Sequence, residues 1–168
     1  NVDALFAAGY RMMAPTHFFD NEIAGSAHGI ERGGLTNFGQ RVIERMRQLH
    51  IVIDVAHLSP QATREILQTA QRPVVFSHGG VKGTCPGERN LSDELVRDIA
   101  ATGGLVGIGY WKGAVCEASA PAAALPRCCL IRQVPPAARR YDRPLGAEHG
   151  TGGAATERRT GVRALAVL

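Results

Sequence analysis

Over the first hundred residues, short apolar runs alternate with stretches in which apolar residues return every three or four positions. VDALFAA (2–8) reads as the end of a helix stopped by Gly9. YRMMA (10–14) reads as a short buried strand, followed by Pro15 and a long polar, glycine-containing loop to Gly34. Thr36 is placed to cap a helix running to about Leu49, with Phe38, Val42, Met46 and Leu49 as its apolar stripe. IVIDVA (51–56) is an apolar, β-branched run of the kind that forms a strand buried on both faces. Ser59-Pro60 predicts an N-cap with proline at the first helical position, opening a helix to about Ala70. PVVFS (73–77) predicts the next strand. Ser92, with Asp93 and Glu94 behind it, opens a helix that ends at Gly103-Gly104, and LVGIG (105–109) follows as a strand.

Strand and helix in strict alternation predict an α/β fold with a parallel sheet joined by right-handed crossovers. An open doubly wound sheet and a TIM-type (β/α)8 barrel both satisfy this pattern. No G-x-G-x-x-G or G-x-x-x-x-G-K-[ST] follows a strand, which removes the usual phosphate-binding signals. Four strands do not close a barrel, so a barrel here is a partial one. The pattern breaks near Ala118. Ala, Arg, Pro and Gly supply 28 of the 48 residues from 121 to 168, Tyr141 is the only aromatic there, and no strand-like run appears. The expected organisation is therefore 1–118 as a barrel segment and 119–168 as a low-complexity, unfolded tail. Such a composition is also what a GC-rich gene yields when read in a shifted frame.

Charge follows the same boundary. Residues 1–120 hold 11 Lys/Arg and 12 Asp/Glu, a net of −1, whereas 121–168 hold 8 Arg and 3 Asp/Glu, a net of +5. The chain's overall +4 belongs to the tail, and the body offers nothing to attract nucleic acid. No apolar run reaches the roughly 20 residues a membrane helix needs. The four cysteines, Cys85, Cys116, Cys128 and Cys129, form no C-x-x-C pair or zinc-ribbon spacing, which predicts free or buried thiols in a reducing compartment. The chain opens at Asn1, in mid-helix and without an initiator methionine, so missing upstream sequence is expected.

In parallel α/β folds the functional side chains gather at the carboxyl ends of strands. Three of six histidines fall there: His17 after YRMMAPT, His57 after IVIDVA and His78 after PVVFS. His28 is in mid-loop, His50 at a helix end and His149 in the tail. A single strand-end histidine is more often a hydrogen-bonded structural residue, but two on successive strands can share one zinc ion. Asp54, inside its strand, reads as a structural carboxylate or as a partner to the histidines. Arg89, in the polar loop GTCPGERN, has the fork to clamp a carboxylate, although a loop arginine is usually solvated.

GYRMMAPTHFFDN, GLTNFGQRVIERM, IVIDVAHLSPQA, RPVVFSHGG and ERNLSDELVRDIAATGGLVGIGYW resemble, in order and spacing, the central part of the renal (membrane) dipeptidase family, above all its bacterial members. The likeness covers about residues 1–118. D-V-A-H-x-S and F-S-H, 21 residues apart and followed by R-N-x-S-D, are specific in combination. The resemblance implies a (β/α)8 barrel with two zinc ions at its carboxyl rim, hydrolysing dipeptides by metal-activated water. It implies that His57 and His78 are the two histidine ligands of one zinc. His17 matches the histidine that contacts the substrate and the tetrahedral intermediate, and Arg89 the arginine that binds the substrate's C-terminal carboxylate.

The departures carry equal weight. The family's H-x-D pair on its first strand and its metal-bridging glutamate lie upstream of Asn1. No G-S-D-F-D-G-like segment occurs in residues 111–168, and Asp142, in RRYDRP, does not match it. At most one partial zinc site is expected, and this chain by itself is expected neither to close a barrel nor to hydrolyse dipeptides. Two other readings stand beside the dipeptidase: a non-catalytic truncated paralogue acting as a binding module, and another amidohydrolase-like barrel hydrolase. Dipeptides are the expected partners, a homodimer is left open, and a cytoplasmic location follows from the thiols and the bacterial likeness.

Overall fold

The computed structural model describes residues 1–116 and the backbone of residues 166 and 167. Helix α1 (Val2–Ala7) is capped by Asn1, whose Oδ1 accepts from the Ala4 N–H, and ends before Gly9, which takes φ +100°. Strand β1 (Met12–Ala14) leads through the loop 15–35 to α2 (Asn37–Gln48). Then follow β2 (Val52–Ile53), α3 (Pro60–Gln68), β3 (Val75–Gly79), α4 (Asp93–Ala101), β4 (Leu105–Ile108) and a short α5 (Lys112–Val115). Each of the three expected caps forms. Thr36, Ser59 and Ser92 accept through their side-chain oxygens from the N–H groups of Gly39, Ala62 and Leu95, satisfying donors that a helix start leaves orphaned.

All strand pairs in these elements are parallel. β1 pairs β2 with Met12 opposite Val52, and β3 pairs β4 with Val75 opposite Leu105. A parallel bridge between Asp54 and Val75 joins the two pairs. The strands therefore lie in chain order, β1-β2-β3-β4, with no reversal. The last described residues, Ala166–Val167, form β5, a two-residue parallel strand on the outer edge of β1. The expectation of no strand in the tail thus fails at its end, because the unpaired edge of β1 supplies backbone partners to any extended segment. The rest of the low-complexity reading, on 119–165 and 168, lies outside the described residues, as do Cys128, Cys129, Asp142 and His149.

The core sits on one face of this sheet. Met13, Ile53, Val55, Val74 and Phe76 pack against Ile43 and Met46 of α2, Ile66 of α3 and Leu95 and Ile99 of α4. Strand residues point alternately to the two faces, and among the described residues no helix covers the other face. Val52 remains 36% exposed and Leu105 60%. The sequence reading of 51–56 as buried on both faces is corrected accordingly: Ile51, Ile53 and Val55 are covered, Val52 is not. Burying a Val or Leu side chain is worth about 1.5–3 kcal/mol, so the open face leaves that stabilisation ungathered at both positions. A cavity of about 230 Å³ also opens at the amino ends of the strands, lined by Arg47, Val52 and Pro73 among others.

Two further expectations change. Phe38 is 46% exposed, and the buried stripe of α2 is Gly39, Val42, Ile43 and Met46. The loop backbone at Ile23 comes so close that a Cβ on residue 39 would stand 1.9 Å from its carbonyl oxygen, which turns that side of the helix inward. Cys85 and Cys116 are joined in a disulfide with Cα atoms 5.2 Å apart. The free-thiol reading is wrong for these two, since a 31-residue separation leaves no local spacing by which to see the pair. The thiol-based ground for a reducing compartment goes with it. Among the described residues no helix is long and apolar enough to cross a membrane.

Candidate active site

His17, His57 and His78 stand at the carboxyl ends of β1, β2 and β3, where three successive parallel strands bring them to one rim. Asp54 fixes the spacing of the last two. Its buried Oδ1 accepts from the Ala56 N–H at 2.9 Å and from the Ser77 N–H at 3.0 Å, tying the end of β2 to β3. The chain then turns at His57 with φ +68°, a left-handed conformation that non-glycine residues rarely adopt. The turn is held from outside: the His57 carbonyl accepts from the Ala27 N–H at 2.7 Å, and Ser26 bridges Leu58. Strain of this kind persists only where the surroundings over-determine it.

The result is a convergence of imidazoles. His57 Nε2 lies 2.9 Å from His78 Nε2, and the His17 and His57 ring centroids are 4.3 Å apart. His57 is buried at 6% exposure. Burial pushes its pKa down to about 3, helped by the positive charge of Arg89 and by the neighbouring histidines. Burial and Arg89 lower His78 as well, with Asp54 opposing. Both rings are thus neutral at neutral pH, the form in which imidazole binds a metal.

The fit to zinc can be tested on these atoms. Two nitrogen ligands at about 2.0–2.1 Å from a tetrahedral zinc lie roughly 3.3 Å apart, close to the 2.9 Å between the two Nε2 atoms. Coordination through Nε2 puts the proton on Nδ1. His78 Nδ1 has Ser77 Oγ at 2.8 Å to receive it. His57 Nδ1 and Asp54 Oδ2 are buried without partners among the described residues. The two histidines fit as half of a zinc site. No group of three or more His, Cys, Asp or Glu side chains converges for a metal among the described residues.

Arg89 reaches the same rim from the loop 80–92. Its Nη2 donates to the His78 carbonyl at 2.8 Å, and its guanidinium lies 5.3 Å from the Phe76 ring centre. Burial lowers its pKa to about 10, against a raising contribution from Asp54, and it keeps its charge at neutral pH. All four residues singled out in the sequence therefore meet in one place, together with Asp54.

The sequence reading passed over His28. The loop 15–35 folds back over the strand ends and sets the His28 ring 5.6 Å from His57 and 5.0 Å from Phe18. The available signal was the glycine pattern around it. A Cβ at Gly25 would stand 2.3 Å from the Gly33 carbonyl oxygen, and one at Gly29 would collide with the Asp20 carboxylate. Glycines at close approaches mark a loop packed on itself rather than one extended into solvent. Phe18 and Trp111 were missed too: Phe18 packs edge-on to His17 at 4.2 Å, and Trp111 lies 6.1 Å from His78.

Parallel strands covered by helices on one face, with three histidines and an arginine gathered at the carboxyl rim, define a mixed α/β protein with a polar cluster where such folds carry their sites. The family model of the membrane dipeptidases (peptidase family M19) matches residues 1–126, and the chain belongs to that family of metallo-dipeptidases. Solved structures agree. The probable dipeptidase PvdM from Pseudomonas aeruginosa superposes with a TM-score of 0.63 at 26% identity, over 67% of this chain and 30% of its own. An amidohydrolase from the same organism gives 0.59 at 26%, over 67% and 36%. A metallopeptidase from Rhodobacter sphaeroides, liganded with a phosphinate mimic of the dipeptide L-Ala-D-Ala, shares the fold at 0.61 and 21%, over 76% and 39%. The chain spans about a third of the length of these proteins.

Proposed function

We propose that this chain is the central part of a zinc-dependent dipeptidase with a (β/α)8 barrel, and that it contributes His57 and His78 to one zinc site. The observation that carries this reading is the approach of the two Nε2 atoms to 2.9 Å from adjacent strand ends. The barrel draws support from the chain-order succession of parallel strands, the two pairs joined by the Asp54–Val75 bridge, and from the uncovered face carrying Val52 and Leu105. In a closed barrel such a face is filled by the strands opposite; a doubly wound sheet would carry helices there.

When bound, zinc supplies a Lewis acid that acidifies water for attack on a peptide carbonyl at neutral pH. His57 and His78 present neutral imidazoles to it. His17, 4.3 Å from His57 and exposed, is placed to stabilise negative charge developing on the carbonyl oxygen. Arg89 holds the free carboxylate of the dipeptide. The remaining ligands belong to segments outside this chain, so the chain alone is expected to bind zinc without turning over dipeptides. Calorimetric titration of zinc into the metal-free chain checks this. His57→Ala or His78→Ala is expected to weaken binding by more than the roughly 100-fold reached by losses around a metal's ligands. Unchanged affinity in either variant removes that histidine from the site, and efficient chelator-sensitive hydrolysis of a dipeptide by the chain refutes its incompleteness.

A second reading, another amidohydrolase-like hydrolase, is favoured by the 26% identity to the P. aeruginosa amidohydrolase. Arg89 separates the two: a dipeptidase of this design needs a free C-terminal carboxylate on its substrate.

A further inference from the structure

The loop between β3 and α4 carries Arg89, whose bond to the His78 carbonyl is one of several ties that hold it. Its neck is closed by backbone hydrogen bonds, Leu91 N–H to the Gly80 carbonyl at 3.0 Å and Lys82 N–H to the Leu91 carbonyl at 2.8 Å. Its body rests on α5. Asn90, next in sequence to Arg89 and 3% exposed, donates from Nδ2 to the Cys85 carbonyl at 2.7 Å and across to the Gly113 carbonyl at 3.1 Å. The Cys85–Cys116 disulfide ties the same loop to the residue that ends α5. At the neck there is no spare room, since a Cβ on residue 80 would lie 2.2 Å from the Ala114 carbonyl oxygen. The loop's other side has the exposed Arg32–Glu88 ion pair, a kind of contact that contributes little.

We propose that Asn90 and the Cys85–Cys116 disulfide are positioning residues for Arg89, so that its carboxylate-binding pose holds while the disulfide is oxidised and loosens when it is reduced. The role of Arg89 rests on the dipeptidase reading; the latch itself does not. A trialkylphosphine opens the latch by a balanced step. The S–S bond breaks, phosphorus is oxidised to the phosphine oxide with oxygen from water, and the two sulfurs take up two protons as thiols. Asn90 then remains as the main side-chain tie between loop and helix, and hydrogen bonds of this kind are modest in net terms.

Amide hydrogen exchange on the 168-residue chain, before and after phosphine reduction of the folded protein, reads the latch without reference to catalysis. Exchange over residues 81–91 is expected to accelerate about tenfold or more, with β1 and β2 unchanged; no acceleration there overturns the proposal. Steady-state kinetics on the complete zinc-loaded protein then read its consequence for Arg89. Reduction is expected to raise KM for a dipeptide about tenfold with kcat unchanged, the signature of lost uniform binding, and to leave the corresponding dipeptide amide unaffected. An equal effect on both substrates, or a fall in kcat alone, overturns the positioning role. The double substitution Cys85→Ser/Cys116→Ser should reproduce the reduced state, and where it fails to fold, reduction of the folded protein still decides. A complete oxidised protein that hydrolyses neither substrate ends the dipeptidase reading and leaves the exchange result to judge the latch.

Discussion

Two loops bring side chains to the same rim and are built on different principles. The loop 15–35, with His17 and His28, is held mostly by its own residues. Asp20 accepts from the Ser26 and Glu31 N–H groups at 2.7 and 2.9 Å, and Asn21 from those of Ile23 and Ala24 at 2.8 and 3.0 Å. Ser26 Oγ donates to the His17 carbonyl at 2.6 Å. The backbone bonds hold the Asp20 carboxyl below its usual pKa. The loop 80–92 is closed by backbone bonds such as Leu91 to Gly80 and Cys85 to Val81, and has one internal side-chain bond, Asn90 to the Cys85 carbonyl. It leans on α5 through one disulfide and the same asparagine. Short-range hydrogen bonds form wherever the loop itself forms. A cross-link over 31 residues exists only after both ends have been placed and oxidised. One loop is therefore robust by composition, the other by connection.

Breaking each loop separately tests that contrast. The largest effect is expected at Gly25, where an added Cβ would meet the backbone of Arg32 and Gly33 at 2.3–2.7 Å. Gly25→Ala should cost about 1–3 kcal/mol, the range for overpacking. Denaturant unfolding checks this, and exchange at 81–91 should not change; coupled loosening of both loops would show that they are one unit. Next comes Arg89→Ala in the complete protein, which removes charged hydrogen bonds to a carboxylate worth about 1.5–3 kcal/mol. The Michaelis constant for dipeptides should rise about 10- to 100-fold with little change in stability; an unaltered constant would take Arg89 out of substrate recognition.

The third effect concerns the histidines between the loops and is read from pH. His57 has a pKa near 3 when folded against 6.5 as its unperturbed value. As pH falls below 6.5 the unfolded chain takes up a proton that the folded chain refuses, so stability is complete above 6.5 and is lost progressively toward 3. His28 and His78, also lowered, act in the same direction. Denaturant midpoints of the metal-free chain should drop between about pH 7 and pH 5, and less so in a His57→Gln variant. An equal drop in that variant would assign the pH dependence to other groups.

Much of the local structure could be read directly. Thr36, Ser59 and Ser92 cap the helices they were expected to cap, Gly9 follows the end of α1, and the strand runs sit near their expected places, with β3 extending through His78 to Gly79. That His17, His57 and His78 would share one rim was legible because strand ends are where parallel folds gather side chains, and Arg89 was singled out through its motif's resemblance to one family. His28 has no period to reveal it, 11 residues beyond His17 in a polar loop, and only the glycines around it, Gly25 and Gly29, hint that the loop packs on itself. Phe38 was misjudged because the helical stripe says which residues can face inward together, and only the approach of Ile23 to Gly39 decides which side does. The disulfide was misjudged because it pairs residues that no local pattern relates.

What the sequence determined by itself was the set of short-range decisions, made within a few residues by caps, glycines and the period of apolar side chains. The tertiary structure decided which of those residues meet: His57 with His78, Arg89 with the His78 carbonyl, Cys85 with Cys116, and the described helices with one face of the sheet. The physical reason is range. Capping and periodicity act within one or two turns of chain, whereas convergence of side chains from separate strands depends on the register and twist of the whole sheet.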